Sequence, residues 1–195
     1  PRIRIFRSSE DLSIEKNWAR LKHIPMREFV VLIGHDDVAH SHFLSTAKRA
    51  IEANPTISLF EFGVQPINSR GEILRRMTAV IHESEALEQY ISNRLSGGKF
   101  VSGTGYVMRS RVYKKLGGIP EHPSLAFADD VLWTNFLSLG PKVGVKDICF
   151  NVRIHDRSES ATTPGYWRNT LTGLELFFCH LDKLASDNDA LREII

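Results

Sequence analysis

The run Phe29-Val30-Val31-Leu32-Ile33, closed by Gly34, limits the fold more than any other feature of the chain. A continuous apolar run of this length reads as a strand covered on both faces, as in the middle of an α/β sheet. It is the longest wholly apolar run in the sequence, far short of the roughly 20 residues that span a bilayer. No transmembrane segment is expected, although peripheral contact with a membrane stays open.

A sheet buried on both faces needs helices on each side, and the rest of the chain supplies alternating elements. Arg2 to Arg7 alternates like a short strand. Ser13 caps a helix reaching about His23, and Pro25 stops it. Ser41 to Ala53 is helical with Asn54-Pro55 as its stop, Ile57 to Val64 is strand-like, and Asn68 to Gly71 is a turn. Residues 72–82 are ambiguous. Glu83 to Leu95 is an amphipathic helix ended by Gly97-Gly98. Thr104 to Arg109 reads as a strand, Ser110 opens a short helix closed by Gly117-Gly118, and Asp130 to Leu139 is a helix ended by Gly140-Pro141. Two strands follow, Lys142 to Val145 and Ile148 to Ile154. Pro164 then starts a helix to about Ala185 whose apolar set (Trp167, Leu171, Leu174, Phe177, Phe178, Leu181) reads as core. The last ten residues are expected to fray. No repeat or linker divides the chain, so residues 1–195 form one domain of an α/β layered fold.

Composition removes several function classes. Hydrophobic residues make up 42% and charged residues 25%, which excludes disorder and low-complexity architectures. With Lys+Arg at 25 and Asp+Glu at 23, the formal charge is +2, no footprint for bulk nucleic-acid binding. Cys149 and Cys179 are too few for a disulfide framework or a zinc site. They read as core thiols in a reducing compartment, which points to the cytoplasm.

In α/β sheets, ligands bind beyond the carboxyl ends of the strands. There the chain places Gly34-His35-Asp36-Asp37. Adjacent carboxylates repel unless a cation or a helix start offsets them. Mg²⁺ and Mn²⁺ favour such oxygens and often take one or two protein ligands plus substrate phosphates. Asp37 or Ser41 as a helix cap is the plainer alternative, and His35, His40 and His42 read as loop and helix histidines. A second acidic pair, Asp129-Asp130, precedes Val131-Leu132-Trp133 at a helix start. Capping accounts for one of these acids, and a general base accounts for the other.

In this order the pieces resemble the family 2 glycosyltransferases of the GT-A fold, over roughly Ile3 to Ser160. The motifs are a helix with Asn17, a buried strand into an acidic tetrad, and a Phe43-Leu44 helix. Next come Gly103-Thr104-Gly105 before Met108-Arg109, the turn Leu116-Gly117-Gly118, and an acidic pair before Leu132-Trp133. Last comes Arg153-Ile154-His155 with Ser158 and Ser160. The resemblance implies a GT-A-like (Rossmann-like) mixed sheet flanked by helices. It implies that Asp36, with Asp37 and His155, holds Mg²⁺ or Mn²⁺, and that Asp129 is the catalytic base, or Asp130 if the register slips by one. Arg153, Gly103, Thr104 and Trp133 would line the substrate site. The donor would be a nucleotide-diphosphate sugar, the acceptor a glycan or lipid-linked hydroxyl, and the product inverted.

Two departures stand out: Gly34 replaces the first acid of the family's tetrad, and Ala128 replaces the Glu of its Glu-Asp pair. The family's opening strand and helix, which grip the nucleotide base, have no counterpart before Ile3, so the domain reads as N-terminally truncated. The competing readings are a non-catalytic sugar- or protein-binding relative, a sugar-phosphate nucleotidyltransferase, and a phosphohydrolase built on His35-Asp36.

Overall fold

Alternation along the central strands sorts the core into two layers. The computed structural model describes residues 4–74, 81–98, 101–155 and 165–195. Among these, the sheet runs in the order β1 (Phe29–Val31), β5 (Tyr106–Arg109), β3 (Leu59–Ile67), β6 (Lys142–Arg153), β2 (Val38–Ala39), and β4 (Ser84–Glu85) pairs with the start of β6. β3 and β6 are parallel and the other pairings antiparallel, so the sheet is mixed. Phe60, Phe62 and Val107 face one layer, where Phe43 and Ala47 of α2 (Phe43–Ala53) meet them. Leu59, Tyr106 and Met108 face the other. That layer is built by α3 (Leu87–Leu95), α4 (Ser110–Lys115), α5 (Ala128–Leu137), α6 (Tyr166–Ala185) and α7 (Asp189–Arg192). Ahead of β1, Ser13 accepts from the Lys16 N–H and caps α1 (Ile14–Ala19), which tightens into a 3₁₀ turn over Arg20–His23.

Several expectations change. β1 is an edge strand, half-buried and three residues long, not a mid-sheet strand. Residues 4–7 lie outside any strand and are exposed, because alternation without a partner strand forms no ladder. The two strands expected over 142–154 are one, continuous through a register shift opposite Gly63, whose Cβ position lies 2.8 Å from the Asp147 carbonyl oxygen. The helix expected from Glu83 begins at Leu87, because Ser84 and Glu85 pair with β6. In α6 only part of the apolar set is core: Phe177 and Leu181 are buried, whereas Trp167 is 62% and Leu171 54% exposed. The terminal residues do not fray, since Asn188 caps α7 and Leu191 is fully buried. Cys149 is buried and Cys179 exposed, so one thiol is core, not two. Pro164 lies outside the described residues.

Charge is also buried in the sheet. Lys142, fully buried at the start of β6, pairs with Glu61 of β3 and, at 2.7 Å, with Glu85 of β4. Tyr106 Oη donates to Glu61 at 2.9 Å and Asn93 Nδ2 to Glu85 at 2.9 Å. One ammonium thus ties three strands, and neighbouring donors reduce the cost of desolvating its carboxylates.

The loop before α5 is held from outside. Gly173 of α6 packs so close that a Cβ there would lie 2.5 Å from the Ala126 carbonyl oxygen and 2.6 Å from its Cβ. In an open helix Gly→Ala stabilises by up to ~1 kcal/mol. Here the clash outweighs that gain. Gly173→Ala is expected to destabilise the chain by about 1–3 kcal/mol, read as a lower urea midpoint with an unchanged m-value.

Candidate functional site

Where β1 ends, the chain turns through Gly34 and brings Asp36 and Asp37 to the sheet's edge. Asp37 carries the local architecture. Its Oδ2 accepts a hydrogen bond from Thr104 Oγ1, and its Oδ1 accepts the Arg153 N–H at 2.9 Å. Thr104 Oγ1 in turn accepts the Gly34 N–H at 3.2 Å. The Asp37 carboxylate folds back so closely that a Cβ on Gly34 would lie 2.8 Å from its Oδ2. Gly34 thus leaves room for that carboxylate at the turn. Neither Asp37 nor Ser41 caps α2, whose start at His42 has no side-chain cap.

Asp36 is differently engaged. His155 Nε2 donates to its Oδ2 at 3.0 Å, and His35 Nδ1 lies 3.8 Å from its Oδ1. Burial by itself raises this carboxyl, but the His155 hydrogen bond, its own backbone N–H and the two imidazoles outweigh it and hold it below the usual range. Its side chain is 26% exposed. Among the described residues, no group of three or more His, Cys, Asp or Glu side chains is arranged to hold a metal ion. The donor set fits a cation that takes one carboxylate and completes its shell with substrate oxygens. Asp37 has both oxygens hydrogen-bonded, whereas Asp36 has its Oδ2 on His155 and its Oδ1 3.8 Å from His35 Nδ1.

Asp129 and Asp130 occupy the first turn of α5 and point to different surroundings. Asp130 is buried at 3% exposure, with Arg94 Nε at 2.8 Å, Arg94 Nη2 at 3.2 Å and Tyr90 Oη at 3.2 Å. Asp129 is half-buried and packs on Gly103, whose Cβ position lies 3.3 Å from both carboxylate oxygens. Burial, with the charge of Asp130 beside it, pushes the Asp129 carboxyl up to about 7. Gly103 and Thr104 are consecutive, so Asp129 touches one residue and Asp37 the next. Neighbouring Cα atoms are about 3.8 Å apart. The two acidic clusters thus approach one short stretch of chain.

The remaining candidates divide. Gly103 and Thr104 are the residues that the two clusters meet. Arg153 gives its N–H to Asp37, its Nε donates to the Asp36 carbonyl at 3.1 Å and its Nη1 to the carbonyls of Asn68 at 2.8 Å and Ser69 at 3.2 Å. Its guanidinium clasps main chain. Trp133 corrects the expectation of substrate contact: it is fully buried and stacked on Tyr106 at 3.9 Å, within the core. His40 bonds Asn151 and His42 the Ile148 carbonyl, both on β6. Ser158 and Ser160 lie outside the described residues.

Comparison with solved structures bears on the fold. Residues 1–349 of S. aureus TarS, in complex with UDP-GlcNAc, superpose at a TM-score of 0.61 and 14% identity, over 80% of this chain and 43% of that one. The chain has a GT-A-like fold. A second structure of TarS 1–349 matches at 0.58 and 16% identity, over 86% and 44% of the two chains. A longer TarS structure matches at 0.56 and 13%, over 88% and 27%. The chain spans less than half the length of each of these neighbours. No family model and no curated protein matches it.

Two features escaped sequence reasoning. Arg94 sits in the last turn of α3, where a basic residue commonly complements the helix dipole, and its local sequence does not mark it as a partner of Asp130. The loop before α5 gave no sign that Ser124, Leu125 and Phe127 adopt left-handed conformations at φ 52°, 55° and 56°. Such angles in non-glycine residues persist only where surroundings enforce them. Here Glu15 accepts the Ser124 N–H at 2.6 Å, Asn169 donates to Ser124 Oγ at 2.8 Å, and Phe127 stacks on Phe177.

Two measurements check this geometry. Thr104→Val removes the hydroxyl that joins Gly34 to Asp37, and is expected to cost about 1 kcal/mol in urea unfolding, because the half-buried Asp37 carboxylate and Gly34 N–H each lose a partner. The raised Asp129 carboxyl means that the folded chain binds more protons than the unfolded one between about pH 4 and pH 7, so stability falls as pH rises through that window. Asp129→Asn should therefore be more stable than the parent at pH 8, by on the order of 1–3 kcal/mol, with the difference closing toward pH 4.

Proposed function

We propose that the chain performs glycosyl transfer from a nucleotide-diphosphate sugar to an acceptor hydroxyl on a glycan or lipid-linked glycan. The observation that supports this reading is the meeting of Asp129 with Gly103 and of Asp37 with Thr104, which brings both acidic clusters to consecutive residues. The GT-A-like fold supports it, as does the UDP-GlcNAc bound to a TarS neighbour. Cys149 and Cys179, both free thiols, fit the reducing cytoplasm where such donors are made.

The raised carboxyl of Asp129 supports its reading as the general base. A carboxyl near 7 is half ionised at neutral pH, and its basicity exceeds that of an ordinary aspartate. It would take the proton of the acceptor hydroxyl as that oxygen attacks the anomeric carbon. The leaving diphosphate departs toward Asp36, on the far side of the sugar, so the product is inverted. Asp36 would hold Mg²⁺ or Mn²⁺, which supplies positive charge against the leaving diphosphate. His155 orients Asp36 through its Nε2–H, and Asp37 keeps the turn in place through Thr104 and the Arg153 N–H.

The test is a donor panel that starts with UDP-GlcNAc, with Mn²⁺ present and donor hydrolysis as the background reaction. Asp129→Asn is expected to lose about 10²–10⁴-fold in turnover while keeping donor affinity. The kcat/KM of the parent should rise with pH through about 7, following ionisation of Asp129. Near-parental turnover in Asp129→Asn would remove it as the base. A folded protein that neither binds nor hydrolyses any donor would be a non-catalytic relative.

A further inference from the structure

The first turn of α5 has no side-chain cap, and its N-cap residue, Phe127, is left-handed. No side chain of the turn itself therefore caps the helix start that carries Asp129. Arg94, from the last turn of α3, touches both sides of that turn. Its guanidinium meets Asp130 through two nitrogens, at 2.8 and 3.2 Å, and its carbon sits 5.5 Å from the centroid of the Phe127 ring. Paired donors on a carboxylate fix direction as well as distance, and a guanidinium over an aromatic face adds further attraction. Asp129 lies between the two gripped residues. We propose that Arg94 is the positioning residue of this site: by holding Asp130 and Phe127 it sets the first turn of α5 so that the Asp129 carboxylate rests on Gly103 and faces the acceptor. This rests on Asp129 being the base.

The same contact acts through charge. Asp130 is one residue from Asp129 and carries a like charge, and Arg94 is the cation that balances it. The other titratable or charged groups packed around this turn, among the described residues, are few. Tyr90 bonds Asp130, and Glu61 lies behind Tyr90 with Tyr106 bonded to it. Asp37 lies across Thr104. His180 of α6 bonds Thr134, one turn further along α5, and His122 bonds the Ala126 carbonyl. Burial pushes Tyr90 and Tyr106 far above the usual phenol range, so neither supplies a charge. Without Arg94, the repulsion from Asp130 is unbalanced.

Carboxyl-selective NMR titration of Asp129 in the whole chain, beside the pH profile of kcat/KM with UDP-GlcNAc or the best donor of the panel, tests the proposal. Arg94→Gln is expected to raise the Asp129 midpoint by about one unit and to move the rising limb of the profile by the same amount. Its kcat should fall about 10-fold or more, with donor KM changed less than about 3-fold, the pattern of a lost transition-state alignment. Arg94→Gln/Asp130→Asn, which removes both charges, should return the midpoint to the parental value or below. Arg94→Lys keeps the charge but not the fork, so its midpoint should stay near the parental value while kcat falls. If Arg94→Gln does not fold, Arg94→Lys and the double variant carry the test. An Asp129 midpoint that ignores Arg94, in a protein whose turnover needs Asp129, overturns the role of Arg94 alone. A midpoint that follows Arg94 in a protein whose Asp129→Asn variant keeps its turnover overturns the base assignment, and this proposal with it.

Discussion

Asp37 gathers three stretches of chain that lie far apart in sequence. One oxygen takes the hydroxyl of Thr104, the other takes the main chain of Arg153, and the carboxylate covers Gly34 at its own turn. Because Thr104 Oγ1 also accepts the Gly34 N–H, the end of β1 is tied to the 102–105 segment. Charge-assisted bonds of this kind are stronger than neutral ones and set orientation. The rest of the site is built on that tie. Gly103, one residue before Thr104, offers Asp129 a surface without a side chain, and Arg153, fixed by its own N–H, spreads its guanidinium over the carbonyls of Asp36, Asn68 and Ser69.

The chain buries acids in two ways, and the contrast separates structure from chemistry. Glu61 and Glu85 share Lys142, with Tyr106 and Asn93 supplying further donors, and Asp130 has Arg94 and Tyr90. These are compensated charges that tie strands and helices together. Asp129 packs on the backbone of Gly103, and the nearest charge on its own helix is the like charge of Asp130. Its raised affinity for a proton disfavours the ionised fold. Destabilised groups of this type concentrate where a protein does chemistry. The left-handed residues Ser124, Leu125 and Phe127 lie just ahead of it and are held by α1, α3 and α6 from three directions.

The sequence determined the layered class, most element positions and both acidic clusters. These follow from local signals: apolar periodicity, Ser13 as a cap, Asn54-Pro55 as a stop, and acids at the end of a strand and the start of a helix. Only tertiary structure decided that β1 is an edge strand, that Lys142 to Arg153 is one strand, that Trp133 stacks on Tyr106, and which of Asp129 and Asp130 pairs with Arg94. The physical reason is the same in each case. Strand order depends on pairing between distant segments, and the fate of a carboxylate depends on which donors reach it. Asp129 and Asp130 are identical residues side by side, and they differ because Arg94 and Tyr90, some forty residues earlier in the chain, reach one of them and not the other.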